Sequence, residues 1–341
     1  MSTQKAVYLQ AAKGDVAVGD APVYKPGAGE LLVRLHATAL NPVDWKIQRY
    51  DIFVKSYPTV LGTDGAGEVV EIGEGVTGFE KGDKVFFQGS YDKATYATFQ
   101  QYALAEAATT AKIPENLSYD QASTFPVALT AAYVGLYKGL GLTPLTAEGR
   151  GIGAYAASPV FIVGGSSSVG QFGIQLAKAS GFSPIITTAS LKHAEYLKSL
   201  GATHIIDRKV PLSSLASEAA KITDKPIPFA FDSISSAETQ QASYDLLADG
   251  GKLSIVLVKS VTEKEGNGKE VFHVVGVRNN PVHRELLVDA YKYWSDWAKT
   301  GLLQPSRVEV LPGGLAGIEP GLRKLENDQV SGIKLVAHPQ D

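Results

Sequence analysis

The 341-residue sequence predicts an α/β protein in which an irregular β-barrel is joined to a doubly wound parallel sheet. Three observations predict it. Residues 1 to about 120 are rich in short β-branched runs separated by Gly and Asp; from about Ser123 to about residue 275 strands alternate with helices; and Val160-Phe161-Ile162-Val163 empties through small residues into a helical pattern.

The elements follow in order. Leu31–Ala37, Gly65–Gly73 and Gly82–Phe87 read as barrel strands bounded by turns, and Leu142–Ser158, with Pro144, three glycines and other small residues, reads as a surface loop. Val160–Val163 suits a strand covered on both faces, after which Val169, Phe172, Leu176 and Ala177 recur at helical spacing until Gly181. Strands are then predicted at Ile185–Ala189, Thr203–Ile206, Pro228–Asp232 and Lys252–Val258, with a helix over Ala237–Ala248 stopped by Asp249-Gly250-Gly251. A helix over Val282–Lys299 precedes strands at Arg307–Leu311 and Ile333–Val336, which have too little partner material of their own and are expected to return to the barrel. The resulting division is a discontinuous barrel domain, 1–124 and 276–341, around a sheet domain, 125–275.

The turn after Val163 has the spacing Gly165-x-Ser167-x-x-Gly170 of a dinucleotide cradle. Gly165 would form the tight turn and Gly170 would let the helix approach the strand. The backbone of Ser166, Ser167, Ser168 and Val169 would point free N–H groups at a pyrophosphate. Ser at the middle position leaves less room for phosphates and adds a hydroxyl donor. The alternative is an ordinary strand-to-helix turn.

The second strand of the sheet decides the cofactor. Where an NAD-binding chain places an acid for the ribose 2′-hydroxyl, this sequence has Ser190, Lys192 and His193, with Arg208 closing the next strand. A hydroxyl and two cations suit a 2′-phosphate and predict NADPH, unless Lys192 and Arg208 are ordinary solvated charges.

Composition narrows the chemistry. With 44% hydrophobic residues, 35 glycines and a net charge of −3 the sequence reads as globular, without the basic footprint of a nucleic-acid binder. No apolar run approaches the ~18 residues of a membrane span, and Met1–Lys5 lacks a signal-peptide core, so a cytosolic protein is expected. Zero cysteines exclude disulfides, thiolate catalysis and cysteine-ligated metals, and the six histidines lack ligand spacing. Ser166–Ser168 do not form the G-x-S-x-G elbow of a serine hydrolase.

Asn41-Pro42-Val43-Asp44-Trp45-Lys46, Tyr57–Gly67, Gly75–Val85 and the cradle occur in an order and spacing that resembles the medium-chain dehydrogenase/reductase superfamily over essentially the whole chain. Within it the sequence looks most like the zinc-independent quinone and enoyl reductases, especially fungal enoyl reductases acting in trans with a polyketide synthase. The resemblance implies a GroES-like barrel and a Rossmann domain. Gly62-Thr63-Asp64 stands where the zinc alcohol dehydrogenases have Gly-His-Glu, which implies that no metal is held.

The same resemblance implies roles for single residues. Lys46 would lie near cofactor and substrate, and Thr130 would face the nicotinamide, with Asn41 touching the same region. Tyr50 is a candidate proton donor, although its spacing from the Asn-Pro motif departs by about two residues from that of the mitochondrial enoyl thioester reductases. The other readings of these residues are a surface lysine, a helix-turn threonine and a turn asparagine. Trp45, Phe53, Tyr91, Tyr96 and Trp294 could wall a substrate cleft or pack the core.

Without a metal, the chemistry that fits is hydride delivery from NADPH to an already electrophilic carbon of an enone, enal or enoyl thioester. A quinone acceptor, a polyketide chain on a carrier domain, and a non-catalytic NADPH-binding protein are the alternatives. Neither a nucleic-acid nor a membrane partner is expected.

Overall fold

The computed structural model describes residues 2–341. The chain divides into two compact units. One runs to Val127 and resumes at Trp294–Lys299 and Pro305–Asp341; the other comprises Ala128–Tyr293 and Thr300–Gln304.

In chain order the elements begin with β1 (Thr3–Leu9), β2 (Val16–Pro22), β3 (Glu30–Ala39), α1 (Pro42–Tyr50), β4 (Thr59–Val60), β5 (Asp64–Ile72), β6 (Lys84–Gln88), β7 (Tyr102–Glu106), β8 (Thr110–Lys112) and α2 (Tyr119–Ala122). There follow α3 (Pro126–Tyr133), β9 (Val160–Val163), α4 (Ser168–Ala179), β10 (Ile185–Ala189), α5 (Ala194–Leu200), β11 (His204–Asp207), α6 (Leu215–Ala220), β12 (Phe229–Asp232), α7 (Ala237–Leu246), β13 (Lys252–Ile255), β14 (Glu270–His273) and α8 (Arg284–Thr300). The chain closes with β15 (Val308–Val310), α9 (Ile318–Glu326) and β16 (Lys334–Ala337).

In the first unit a three-stranded sheet, β2-β1-β4, accompanies a seven-stranded sheet ordered β15-β16-β3-β5-β6-β8, with β7 also paired to β3. Alternation along β3 sends Leu31, Val33 and Leu35 into a core with Val69, Val85 and Phe87. Register shifts between β3 and β5 at Leu32/Val33 and Leu35/Ala37 bend the sheet as a barrel requires. The late strands join this sheet: β16 pairs antiparallel with β3, and β15 lies parallel to β16. A second core gathers Leu40 and Ile47 with Val60, Phe99, Ile318 and Leu322.

The second unit is built on one six-stranded parallel sheet ordered β11-β10-β9-β12-β13-β14. Counted from β9 this is the order 3-2-1-4-5-6 of a Rossmann sheet, whose switch point lies between β9 and β12. All four residues of β9 are buried, as a strand covered on both faces requires. The strand predicted over Lys252–Val258 ends at Ile255, where the Val256 N–H turns to the Ser235 hydroxyl at 2.8 Å. Strand β14 had no sequence signal: Glu270 and His273 are exposed and its two apolar residues only half-buried, as befits an edge. Residues 142–158 contain no helix or strand. No helix among the described residues is long and apolar enough to cross a membrane.

Candidate functional site

The cradle sits at the switch point of the second unit. Gly164, not Gly165, makes the tight turn, with φ +76°, a conformation that L side chains rarely adopt. Gly165 serves close approach instead, since a Cβ there would come within 2.2 Å of Thr187 Oγ1, and at Gly170 one would come within 2.3 Å of the Gly164 carbonyl. Two threonines of β10 pin the turn. Thr188 Oγ1 accepts from the Gly164 N–H at 3.0 Å, and Thr187 Oγ1 donates to the Ile162 carbonyl at 2.7 Å.

Ser167 is the N-cap of α4: its hydroxyl accepts from the Gly170 N–H at 2.9 Å and meets Ser233 Oγ at 2.9 Å across the switch point. The added hydroxyl read from the sequence is thus spent on the helix and on β12. The free hydroxyls beside it are those of Ser166 and Ser168, both part-exposed, next to the Val169 N–H in the first turn. Sequence spacing could not show which of three adjacent serines would cap.

The parallel register sets Ala189 beside Asp207, so the chain leaves β10 and β11 side by side, and the Arg208 N–H donates to the Ala189 carbonyl at 2.9 Å. Ser190 follows one strand and Arg208 the other. Lys192, in a single helical turn over Leu191–His193, and Arg208 are exposed, and neither side chain makes an ion pair among the described residues. Asp207, the last residue of β11, turns its carboxylate to the Lys209 N–H at 3.0 Å.

Thr130 is fully buried in α3, and its hydroxyl has no hydrogen-bond partner among the described residues. Gly276, in the segment after β14, lies against Ala131, where a Cβ would stand 3.2 Å from the Ala131 Cβ. A buried orphan hydroxyl costs about 1–3 kcal/mol unless something satisfies it. Such an atom fits a carboxamide, and the glycine cradle with the first-turn N–H groups of α4 fits the pyrophosphate of a nicotinamide dinucleotide.

In the first unit α1 starts at Asn41-Pro42, with Pro at the first helical position. The Asn41 N–H donates to Asp44 Oδ2 at 2.7 Å, and its side chain is held twice: Nδ2 donates to Asp64 Oδ2 at 2.8 Å, and Oδ1 accepts from Lys334 Nζ at 2.6 Å. Asp64 is fully buried. It also takes the Val127 N–H at 2.7 Å and pairs with Lys334 Nζ at 2.8 Å. Asp44, likewise fully buried, accepts from the Tyr91 hydroxyl at 2.9 Å, and that hydroxyl lies 3.2 Å from Thr63 Oγ1. Burial pushes the Asp44 carboxyl up to about 7, against the pull of the Asn41 N–H, Tyr91 and Lys334. Burial also raises the Tyr91 phenol, helped by the Asp44 charge.

Lys46 lies one helical turn before Tyr50. Its half-buried amine makes no hydrogen bond or ion pair among the described residues and stands 5.7 Å from the Trp45 ring centroid. Burial lowers its pKa from the ordinary ammonium value, and Asp328 opposes the shift. Tyr50 is 60% exposed, its ring 5.8 Å from that of Trp45. Of the other aromatics, Trp294 is fully buried, Phe53 is exposed, and Tyr96 bonds the Glu30 carboxylate.

Residues 27–115 match the alcohol dehydrogenase GroES-like domain, and residues 168–282 match the domain described as zinc-binding dehydrogenase. A trans-enoyl reductase of Aspergillus sclerotiorum is 32% identical over 96% of this chain and 98% of its own, and one of Aspergillus japonicus is 31% identical over 90% and 89%. The chain belongs to the medium-chain dehydrogenase/reductase superfamily. As a superfamily member it is an oxidoreductase of the class whose dehydrogenases bind a nicotinamide cofactor. A dehydrogenase of Monascus ruber is 40% identical over 61% of the chain, a match that spans only 58% of that relative. In fold, a quinone oxidoreductase of Coxiella burnetii superposes with a TM-score of 0.75 at 24% identity, over 98% of this chain and 99% of its own.

Thr63 Oγ1 meets the Tyr91 phenol at 3.2 Å, and no three His, Cys, Asp or Glu side chains converge among the described residues. Sequence reasoning missed Lys334 and Asp44. The signals were there: a lysine within the apolar strand Ile333–Val336, and an acid at the third helical position after Asn41.

Proposed function

We propose that the protein is a zinc-independent, NADPH-dependent reductase of carbon–carbon double bonds activated by a carbonyl, as in an enone, enal or enoyl thioester. The observation that carries the reading is the hydroxyl–phenol–carboxyl cluster of Thr63, Tyr91 and Asp44 at the position where zinc members keep a ligand. Two relatives named trans-enoyl reductases, similar over most of their length, support the same reaction class. The catalytic role falls to the discontinuous first unit and the nucleotide to the second.

When bound, the nicotinamide supplies the hydride. Ser166, Ser168 and the first-turn N–H groups of α4 would hold the pyrophosphate, and Ser190, Lys192 and Arg208 the 2′-phosphate. Thr130 would take the carboxamide and fix the exposed face of the ring. Lys46, a cation with no hydrogen bond or ion pair among the described residues, would stabilise the negative charge that develops on the substrate carbonyl oxygen. Asn41 would contribute by tying α1 to the Asp64–Lys334 pair.

Steady-state NADPH oxidation with an enal, an enoyl thioester and a quinone ranks the acceptors; preference for the quinone replaces the double-bond assignment. Faster turnover of a carrier-bound enoyl chain than of free enones would add a polyketide synthase carrier domain as partner. Binding of NADPH without oxidation across the panel would make this a non-catalytic nucleotide-binding protein. The joint substitution Lys192→Ala, Arg208→Ala should weaken NADPH about a hundredfold or more while leaving NADH nearly unchanged, since each charge-assisted bond contributes about 1.5–3 kcal/mol. Equal losses for both nucleotides, read by calorimetry, remove the NADPH assignment.

A further inference from the structure

Reduction of a double bond needs a proton as well as a hydride, and among the tyrosines of the first unit Tyr50 and Tyr91 have contrasting surroundings. Tyr50 is 60% exposed and makes no hydrogen bond among the described residues. Tyr91, in the bend after β6, has its hydroxyl 2.9 Å from Asp44 Oδ1 and 3.2 Å from Thr63 Oγ1, within the reach proton transfer requires. The bend is held in place because the Gly89 N–H donates to the Thr63 carbonyl at 2.7 Å and the Ser90 N–H to the Tyr96 carbonyl at 3.2 Å. Both Asp44 oxygens are engaged, one by Tyr91 and the other by the Asn41 N–H.

We propose that Asp44, Tyr91 and Thr63 form a proton relay that completes the reduction, with fully buried Asp44 as its reservoir and Thr63, itself 4% exposed, as the hydroxyl that hands the proton to the substrate. The inference rests on the reductase reading above. The Tyr91 hydroxyl donates to the Asp44 carboxylate; once Asp44 is protonated its own O–H donates to the Tyr91 oxygen, and the Tyr91 hydroxyl turns to Thr63 Oγ1. In the transfer the Asp44 O–H bond breaks as its proton passes to the Tyr91 oxygen. The Tyr91 proton passes to the Thr63 oxygen, and the Thr63 proton passes to the substrate, which has accepted the hydride pair at its β-carbon. Asp44 ends as a carboxylate and regains its proton from solvent, so one hydride and one proton are consumed for each double bond.

The surroundings of Asp44 suit a reservoir that is loaded near neutrality. Asp64 faces it from β5, Lys334 from β16 and Tyr91 from the bend, while Asn41 offers the only backbone donor. Asp64 is matched by Lys334 at 2.8 Å and by two further donors, so the ammonium charge is largely committed before it can hold Asp44 ionised. Burial then favours the neutral acid, with a midpoint of about 7.

The test is the pH profile of kcat for NADPH oxidation by the full chain with its best acceptor. The wild-type rate should fall as pH rises through about 7, when the reservoir empties. Tyr91→Phe and Thr63→Val should each lower kcat about a hundredfold or more, with KM changed only a few-fold, while Thr63→Ser, which retains a hydroxyl, should recover most of the rate that Thr63→Val loses. Asp44→Asn should lower kcat and abolish the inflection near neutrality; should that variant fail to melt cooperatively, Tyr91→Phe and Thr63→Val decide alone. Wild-type protein that turns over while Tyr91→Phe and Thr63→Val keep its rate and pH profile overturns the relay alone. Wild-type protein that oxidises no NADPH with any acceptor overturns the reductase reading and the relay together.

Discussion

Asp64 gathers the Asn41 amide, the Lys334 ammonium and the Val127 N–H on two carboxylate oxygens, all out of water. A buried ion pair of this kind adds little over an apolar pair, yet removing one partner strands the other. Lys334→Met should therefore destabilise the protein by about 3–5 kcal/mol in urea unfolding. Asp44 predicts the opposite sign of pH dependence from an ordinary carboxylate. Its folded pKa lies above the unfolded value, so the native state binds more protons between pH 3.8 and about 7 and loses stability as pH rises through that window. The effect reaches about 4 kcal/mol at most. Asp44→Asn should flatten this slope, and a variant whose stability still falls over the same window would assign it to another group.

At the scale of elements, the strand-turn-helix of β9 and α4 depends on backbone contact that admits no side chain. Gly170→Ala would press a methyl group onto the Gly164 carbonyl, so it should cost about 1–3 kcal/mol and weaken NADPH more than tenfold. Unchanged calorimetric affinity would show that the turn does not shape the phosphate site. This element was legible because its two periods, the apolar run Val160–Val163 and the spacing of Val169, Phe172 and Leu176, report burial directly. The exact turn residue was not legible, because Gly164 and Gly165 are adjacent and only backbone geometry separates a positive φ from a close approach. Strand β14 escaped for a different reason: an edge strand pairs one side only and needs no apolar pattern. The relay escaped because Asp44, Thr63 and Tyr91 come from three separate segments, and spacing along a chain cannot register a meeting in space.

For the whole molecule, nucleotide binding and folding are one linked equilibrium. NADPH at a hundred times its dissociation constant should add about 2.7 kcal/mol of stability and raise the melting midpoint by several degrees, whereas NADH at the same concentration should add less. A strong chelator should move neither the midpoint nor the rate; a loss that zinc restores would overturn the metal-free assignment. Thr130 sets the cost of readiness. Its hydroxyl is dehydrated and unanswered in the free chain, so Thr130→Val should make the empty protein harder to unfold by about 1 kcal/mol while loosening its grip on the nucleotide. A lineage selected only for durability would discard that oxygen. Under the proposed carboxamide contact, that oxygen serves the occupied protein and is a burden on the empty one.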